Sequence, residues 1–236
     1  MPNKPTRALA QYFYFFMSLL IATVVVCGFG PTVDQRFFHP SHPKPFLLSI
    51  HAVIFSAWVV LYIVQSALVR TGNVRIHRAL GCFGVAVGIA IPIIGSITAV
   101  TMRRFDLLDP ELARRAPLLR TALLDVTSFT IPFVLAIYWR NMPELHRRLM
   151  LIASCALTAA AFVRFPATFH AWPWFYAGVD LLVLLGVLRD LVVSRRVHPV
   201  YLYALPLLIL AQLTVMDTIL HFWPSLLTMS PRPITV

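Results

Sequence analysis

Long apolar runs alternate with short polar segments along almost the whole chain. Each run holds close to the ~20 residues that an α-helix needs to cross the hydrocarbon core of a bilayer. The pattern therefore predicts an all-α polytopic membrane protein with seven transmembrane helices in one domain that covers residues 1–236. The predicted spans are about 12–30, 46–69, 78–102, 118–139, 147–165, 172–193 and 200–223.

Composition supports a membrane environment. Hydrophobic residues make up 59% of the chain and charged residues 12%, whereas soluble domains carry about 25% charged residues. The net charge of +11 comes from basic residues at the ends of the apolar runs. A nucleic-acid surface would instead present a basic stripe or patch. The expected partner is therefore the lipid bilayer, and nucleic acid is excluded.

The basic residues also predict an orientation. Lys4 and Arg7 precede the first run, and no small-residue cleavage site follows it, so we predict an uncleaved first helix. Placing the N-terminus in the cytoplasm puts a majority of the 20 Lys and Arg residues on the inner side. An odd number of spans then places the two termini on opposite sides.

One four-residue pattern, HRxL, opens two of the runs, at 77–80 and at 146–149. Spans 2–3 and spans 4–5 each form a hairpin that turns on the same side of the membrane. The match indicates a duplicated hairpin, and a chance match is the alternative. A duplication would make spans 2–5 a four-helix core, with the other three spans packed around it.

The two matching segments suggest a binding site. His77, Arg78, His146 and Arg147 lie at helix starts, and helix N-termini attract anions. Together they would form a pocket for a lipid phosphate, a haem propionate or a nucleotide phosphate. The alternative is ordinary membrane-flanking charge.

Small residues predict how these segments meet. Span 3 carries Gly81, Gly84, Gly88 and Gly95 on one helical face, and span 5 is rich in alanine. Small residues let helices approach closely in lipid. We therefore expect span 3 to be central and to pack tightly on span 5, which would bring His77 near His146.

Ionisable residues inside the spans form a second candidate site. A charged side chain at mid-helix costs about 2.5–3.5 kcal/mol on insertion scales, so such residues should face the protein interior. With the N-terminus inside, all of them fall in the outer half of the bilayer. Trp58 and Gln65 share the helical face of His51, so they are predicted to line the same polar cavity as His51, Asp125, Arg164 and Asp180. The set is His51, Asp125, Arg164, Asp180, Asp217 and His221.

Two interpretations of this set remain open. The residues form either a structural ion-pair network or a cavity for a substrate, a proton or a metal ion. Asp190, near the inner end of span 6, is predicted to pair with a neighbouring arginine.

Several of these residues together resemble one protein family. The resemblance is to bacterial polytopic inner-membrane proteins that contain a domain of unknown function. It covers about residues 45–200 and implies a bacterial inner (plasma) membrane and a shared polar framework, but no reaction. The matching features are His51, Trp58 and Gln65 at seven-residue steps, HRxLG at 77–81, HRRLM at 146–150, Arg164, Asp180, Asp190 and His198-Pro199.

The first functional hypothesis is a redox protein that binds haem b or a quinone. Histidines on a four-helix core resemble the arrangement in di-haem membrane cytochromes and in haem A synthase, and histidine is a usual haem ligand. Span 4 has no histidine to face His51, so a single haem would lie at His77 and His146. No CxxCH motif is present for covalent haem. We prefer this hypothesis.

Two other classes are compatible with the sequence. Asp217-x3-His221 with His51 and Asp125 resembles the zinc site of alkaline ceramidases, with an aspartate in place of the first histidine of that motif. Such a set would make an intramembrane metal-dependent hydrolase. Buried Asp and His residues also suit a proton-linked transporter or a non-enzymatic scaffold. The sequence leaves open enzymatic activity, the ligand and the oligomeric state.

Overall fold

The computed structural model describes residues 4–34, 38–39, 45–106, 119–165 and 175–228, with only the backbone described at 4–8, 105–106 and 217–228. The regular structure of these residues is α-helical. The helices are α1 (Lys4–Val33), α2 (Leu47–Arg70), α3 (Val74–Asp106), α4 (Leu119–Tyr138), α5 (Pro143–Ala156), α6 (Ala159–Phe162), α7 (Tyr176–Ser194) and α8 (Pro199–Thr228).

Six helical segments are long and apolar enough to cross a membrane. They are Leu9–Val33, Leu47–Arg70, Val74–Arg104, Leu119–Tyr138, Pro143–Phe162 and Pro199–Met216. Large apolar side chains such as Val53, Val60 and Leu207 lie exposed on their outer faces, as expected for helices surrounded by lipid. The chain is thus an all-α polytopic membrane protein. Helix α7, which carries Asp180, Arg189 and Asp190, is not among the six.

The central helix is α5. In the segment Pro143–Phe162, 61% of the most apolar stretch is buried, against 17–28% in the other five segments. One side of α5 contributes Ala153 to an apolar cluster formed with α2, α3 and α4. Another side contributes Leu151, Ile152 and Cys155 to a cluster formed mainly with α1, α7 and α8. Helix α5 therefore joins two apolar cores.

The glycine face of α3 does not pack closely on α5, contrary to the sequence-based expectation. A Cβ atom at Gly88 would overlap the ring of Phe133 on α4, and one at Gly95 would approach Val126 of α4 and Phe55 of α2. The main neighbours of α3 are accordingly α2 and α4. The physical reason is size: the aromatic rings of Phe133 and Phe55 occupy the space beside Gly88 and Gly95.

The two HRxL segments occupy equivalent places at helix starts. Helix α3 begins at Val74 and α5 at Pro143, four residues before each predicted start, so each histidine is the fourth residue of its helix. The amide of His77 donates to the carbonyl of Asn73 at 3.0 Å, and that of His146 donates to the carbonyl of Met142 at 2.9 Å. Each histidine amide thus makes a first-turn i→i−4 bond.

Candidate functional site

His77 and His146 are brought together at the start of α3 and α5. Their ring centroids are 6.4 Å apart, and the ring planes make an angle of 81°. His146 Nδ1 lies 2.9 Å from the carbonyl oxygen of Ala136 on α4. Because a carbonyl can only accept, Nδ1 carries the hydrogen, and the lone pair of a neutral ring is then on Nε2. The expected proximity of the two histidines is confirmed.

The second ring of the pair lies beside α2. The backbone of Gln65 on α2 lies close to the His77 imidazole. Its Nδ1 is buried and has no partner among the described residues. The His146 ring is thus held by a backbone carbonyl, whereas His77 has a buried nitrogen without a partner among the described residues.

Open space lies beside His77 on the same face of α3. Gly81 and Gly84 follow His77 by four and seven residues, which places them on one helical face. A Cβ atom at either glycine would meet only Gln65 Nε2, at 3.9 and 4.0 Å. The side-chain oxygen of Gln65 is buried without a partner among the described residues. Gln65, predicted as part of an outer polar cavity, therefore lies next to the histidine pair.

The two predicted arginines differ in their surroundings. Arg78 is exposed at the start of α3. Arg147 Nη2 donates to Glu144 Oε2 at 2.5 Å, and its guanidinium lies 5.4 Å from the ring centroid of Tyr14. Arg78 is therefore accessible to an anion near the histidines, whereas Arg147 is paired with Glu144.

A buried ion pair joins α5 to α7. Arg148 donates to Asp190 from Nε at 2.8 Å and from Nη2 at 2.7 Å. Arg189 Nη1 donates to the same carboxylate at 2.9 Å. The predicted pairing of Asp190 with an arginine is confirmed. Sequence reasoning missed Arg148, although its position three residues before Leu151 places it on the side of α5 that faces α7.

Asp190 of this ion pair also contacts the turn between α7 and α8. The backbone amide of His198 donates to Asp190 Oδ2 at 3.3 Å, and His198 Nδ1 accepts from the Val200 amide at 3.2 Å. Burial and the nearby charge of Arg148 lower the pKa of His198, while Asp190 opposes that shift. The neutral imidazole is therefore the form that this structure favours.

The predicted polar residues on α2 make different kinds of contact. The His51 ring stacks on Phe55 with centroids 4.0 Å apart, and His51 Nδ1 is buried without a partner among the described residues. Trp58 Nε1 donates to Ser154 Oγ on α5 at 3.3 Å, and the indole packs edge-on against Phe129. Trp58 is therefore a core residue that ties α2 to α5.

The two predicted carboxylates in the outer half have separate partners. Tyr176 donates to Asp125 Oδ1 at 2.9 Å, and Gln212 Nε2 donates to Asp180 Oδ1 at 3.1 Å. Arg164 lies over the Phe29 ring at 4.3 Å and donates to the carbonyl of Ala160.

Arg164 links part of this set. It interacts electrostatically with both Asp125 and His51. The structure thus brings His51, Asp125 and Arg164 into one neighbourhood and pairs Asp180 with α8.

The alternative metal set is only partly described. The side chains of Asp217 and His221 lie outside the described residues. Within the described part of the chain, no group of three or more His, Cys, Asp or Glu residues is placed to hold a metal ion. His51 and Asp125 are therefore the two members of that set whose positions are known.

No family model, no curated protein and no solved structure matches this chain. Its function is therefore inferred from the geometry of its own residues.

Proposed function

We propose that this chain is a membrane redox protein that binds a b-type haem between His77 and His146. The observation that supports it is the spacing of the two rings, 6.4 Å between centroids. A metal ion held by two imidazole nitrogens at about 2 Å each would place the ring centroids roughly 6 Å apart. Histidine is a usual axial ligand of haem iron.

The surroundings of the ring nitrogens suit metal ligation. A ligating histidine commonly donates its other ring nitrogen to a backbone carbonyl, which fixes the tautomer and the ring orientation. His146 has this arrangement with Ala136, and His77 has a buried Nδ1 without a partner among the described residues. The orientation of the His146 ring is therefore set before a ligand binds.

The surroundings suit a flat macrocycle with acidic substituents. Gly81 and Gly84 leave open space on the face of α3 that carries His77. Arg78 is exposed at the same helix start and is available for a charge-assisted bond to a propionate. A bound haem would supply one-electron chemistry, while the protein supplies ligation, orientation and an apolar environment.

The same geometry favours haem over zinc. A zinc site takes three or four protein ligands, whereas a haem iron needs only its axial positions filled by the protein. The pair supplies two histidines, and no larger group of metal ligands occurs among the described residues. The redox proposal therefore rests on two histidines whose positions are described, whereas the hydrolase set includes Asp217 and His221, whose side chains lie outside the described residues.

The proposal includes seven spans, a cytoplasmic N-terminus and the bacterial inner membrane. Helix α7 has 19 residues, about 28 Å at 1.5 Å per residue, which approaches the ~30 Å of a hydrocarbon core. Arg189 and Asp190 are buried against the protein, while Leu181 and Leu188 are exposed. Charged residues that face inward and leucines that face outward support α7 as a membrane helix. The bacterial setting rests on the family resemblance.

The visible spectrum of the detergent-purified protein tests the haem. We expect a Soret band in the unsubstituted chain, and its loss in His77→Ala and in His146→Ala. The matched controls are His39→Ala and His198→Ala, which remove histidines elsewhere and should keep the band. Gly81→Leu should lower haem content without unfolding the chain, because only Gln65 lies near a side chain at that position.

A folded, monodisperse protein that lacks a Soret band after expression with added haem precursor would contradict the proposal. Loss of the band in the control variants together with the ligand variants would place the haem elsewhere.

A further inference from the structure

Three short turns, α2–α3, α4–α5 and α7–α8, lie together at one end of the helix bundle. The rings of His77 and His146, 6.4 Å apart, bring the first two turns together. Hydrogen bonds to Asp190 from Arg148 and from the backbone amide of His198 bring the third turn beside them. Only three or four residues separate the two helices at each turn. The side chains of these turns therefore stay close to the helix ends, at the surface of the membrane.

The two carboxylates described at this end are already paired with arginines. Asp190 accepts hydrogen bonds from Arg148 and Arg189. Glu144 accepts hydrogen bonds from Arg147 and Arg148. These pairs leave no described carboxylate at this end to balance any further positive charge.

Five other arginines at this end are exposed, and we call them the arginine rim. None of the five forms an ion pair within the described part of the chain. Their summed charge is therefore not balanced by the protein and attracts anions to this surface. The arginine rim consists of Arg75, Arg78, Arg140, Arg195 and Arg196.

Exposed apolar side chains alternate with the arginines of the rim. Val74 and Ile76, on either side of Arg75, are 42% and 54% exposed. Tyr138, two residues before Arg140, is 75% exposed, and tyrosine is typical of the interface between membrane and water. A docking surface for a soluble protein has a polar rim, whereas a phospholipid presents acyl chains next to its phosphate. The mixture of arginine and exposed apolar side chains therefore matches a phospholipid.

One arginine of the rim occupies a backbone conformation that glycine usually fills. Arg195 ends α7 in the left-handed region, with φ of 55° and ψ of 15°. Helices often end with glycine in this conformation, because a Cβ atom is disfavoured there. The Arg195 amide donates to the carbonyl of Leu191 at 3.1 Å, a bond that glycine would make equally well. Arginine at this position therefore adds charge to the rim at a cost to the backbone.

We propose that the arginine rim binds the phosphate groups of anionic phospholipids in the surrounding leaflet. A guanidinium pairs with phosphate through two parallel hydrogen bonds, and the exposed apolar residues contact the acyl chains of the same lipid. A lipid with a net negative headgroup is attracted by the whole charge of the rim, whereas a zwitterionic lipid with the same chains is not. The site does not depend on haem, and Arg78 is the rim residue that also lies beside the histidine pair.

Native mass spectrometry of the delipidated, detergent-purified chain measures the binding of each added lipid. The probes are dioleoylphosphatidylglycerol, which is anionic, and dioleoylphosphatidylcholine, which is zwitterionic and has the same chains. We expect binding of the anionic lipid to be roughly 30-fold tighter, the effect of two arginines on one headgroup. The preference should decrease as the salt concentration rises.

Substitutions in the rim test the assignment of the residues. Arg75→Gln, Arg140→Gln and Arg196→Gln should each weaken binding of the anionic lipid by about 5-fold and leave the zwitterionic lipid unaffected. Arg195→Gly should have the same effect without lowering the unfolding midpoint, because glycine adopts the left-handed conformation freely. The matched control is Arg104→Gln, which changes an exposed arginine at the other end of α3 and should keep the preference.

Three outcomes would overturn the proposal. The first is equal affinity for the two lipids, and the second is a loss in Arg104→Gln as large as in the rim variants. The third is displacement of the bound lipid by an equal concentration of glycerophosphoglycerol or polyglutamate, which would assign the rim to a soluble phosphate or to an acidic protein. Presence or absence of a Soret band changes none of these expectations, because the four substituted arginines lie outside the proposed haem site.

Discussion

The guanidinium of Arg148 on α5 and the carboxylate of Asp190 on α7 face each other through two parallel hydrogen bonds of 2.8 and 2.7 Å. Their side chains are 3% and 0% exposed. The fork of an arginine matches the two oxygens of a carboxylate, which makes such pairs geometrically specific. This contact fixes the relative rotation of α5, the central helix, and α7.

The surroundings of this pair predict an asymmetric response to substitution. Asp190→Asn leaves Arg148 and Arg189 without their buried counter-charge, which should cost about 3–5 kcal/mol of unfolding free energy. Arg148→Gln should cost less, about 1–3 kcal/mol, because Arg189 still pairs with Asp190. SDS titration of the purified protein measures the change in unfolding free energy of both variants. The control is Arg196→Gln, an exposed position, for which we expect a change near zero. An equal or larger loss for Arg148→Gln would show that Arg189 does not support the carboxylate.

A pH dependence follows from His198 in the turn before α8. Burial and the charge of Arg148 lower its pKa below the usual 6.5 in the folded protein, against a smaller opposing effect of Asp190. The unfolded chain therefore binds more protons between the lowered pKa and 6.5, and stability rises with pH across that window. Acidification also removes the lone pair with which Nδ1 accepts the Val200 amide.

The measurement is the unfolding midpoint of the unsubstituted chain and of His198→Asn between pH 7.5 and 5. Asparagine does not titrate, and its side-chain oxygen can accept a backbone amide two residues on. We expect the unsubstituted chain to lose more stability than the variant on acidification. Identical pH profiles would mean that His198 has the same pKa in the folded and unfolded states.

The proposed crossing of α7 predicts where two polar turns lie. Asn141 lies between α4 and α5, and Arg196 lies between α7 and α8. With the proposed cytoplasmic N-terminus and a membrane-spanning α7, both turns face the cytoplasm. Asn141→Cys and Arg196→Cys, each in a chain without native cysteines, should react with a membrane-impermeant maleimide only after the cells are permeabilised. Labelling of Arg196→Cys in intact cells, with Asn141→Cys still protected, would mean that α7 does not cross.

Local patterns in the sequence predicted several elements well. Long apolar runs identified the membrane helices, because each backbone polar group in lipid must be satisfied within its own helix. The HRxL segments identified the starts of α3 and α5, although Val74 and Pro143 begin these helices four residues earlier than predicted. Pro143 suits a first helical position because it lacks the amide hydrogen that would otherwise be unpaired there. The equivalence of His77 and His146 was therefore visible before any tertiary contact was known.

Contacts between helices were less accessible to sequence reasoning. The glycines of α3 predicted a close approach but not its partner, which is α2 and α4 rather than α5. Glycine permits any neighbour to approach, so the choice depends on the size of the side chains opposite, such as Phe133. Likewise, the intramembrane charges predicted inward-facing groups but not that Asp180 would pair with Gln212 while Asp125 pairs with Tyr176.

By itself the sequence determined that the chain is a bundle of membrane helices and that two of them open with a histidine in the same turn. Those features follow from hydrogen bonding and apolarity within single segments, which depend on neighbouring residues along the chain. Only the tertiary structure decided that His77 meets His146 and that Arg148 meets Asp190. These meetings depend on the rotation of each helix about its axis, which packing against several other helices sets at once.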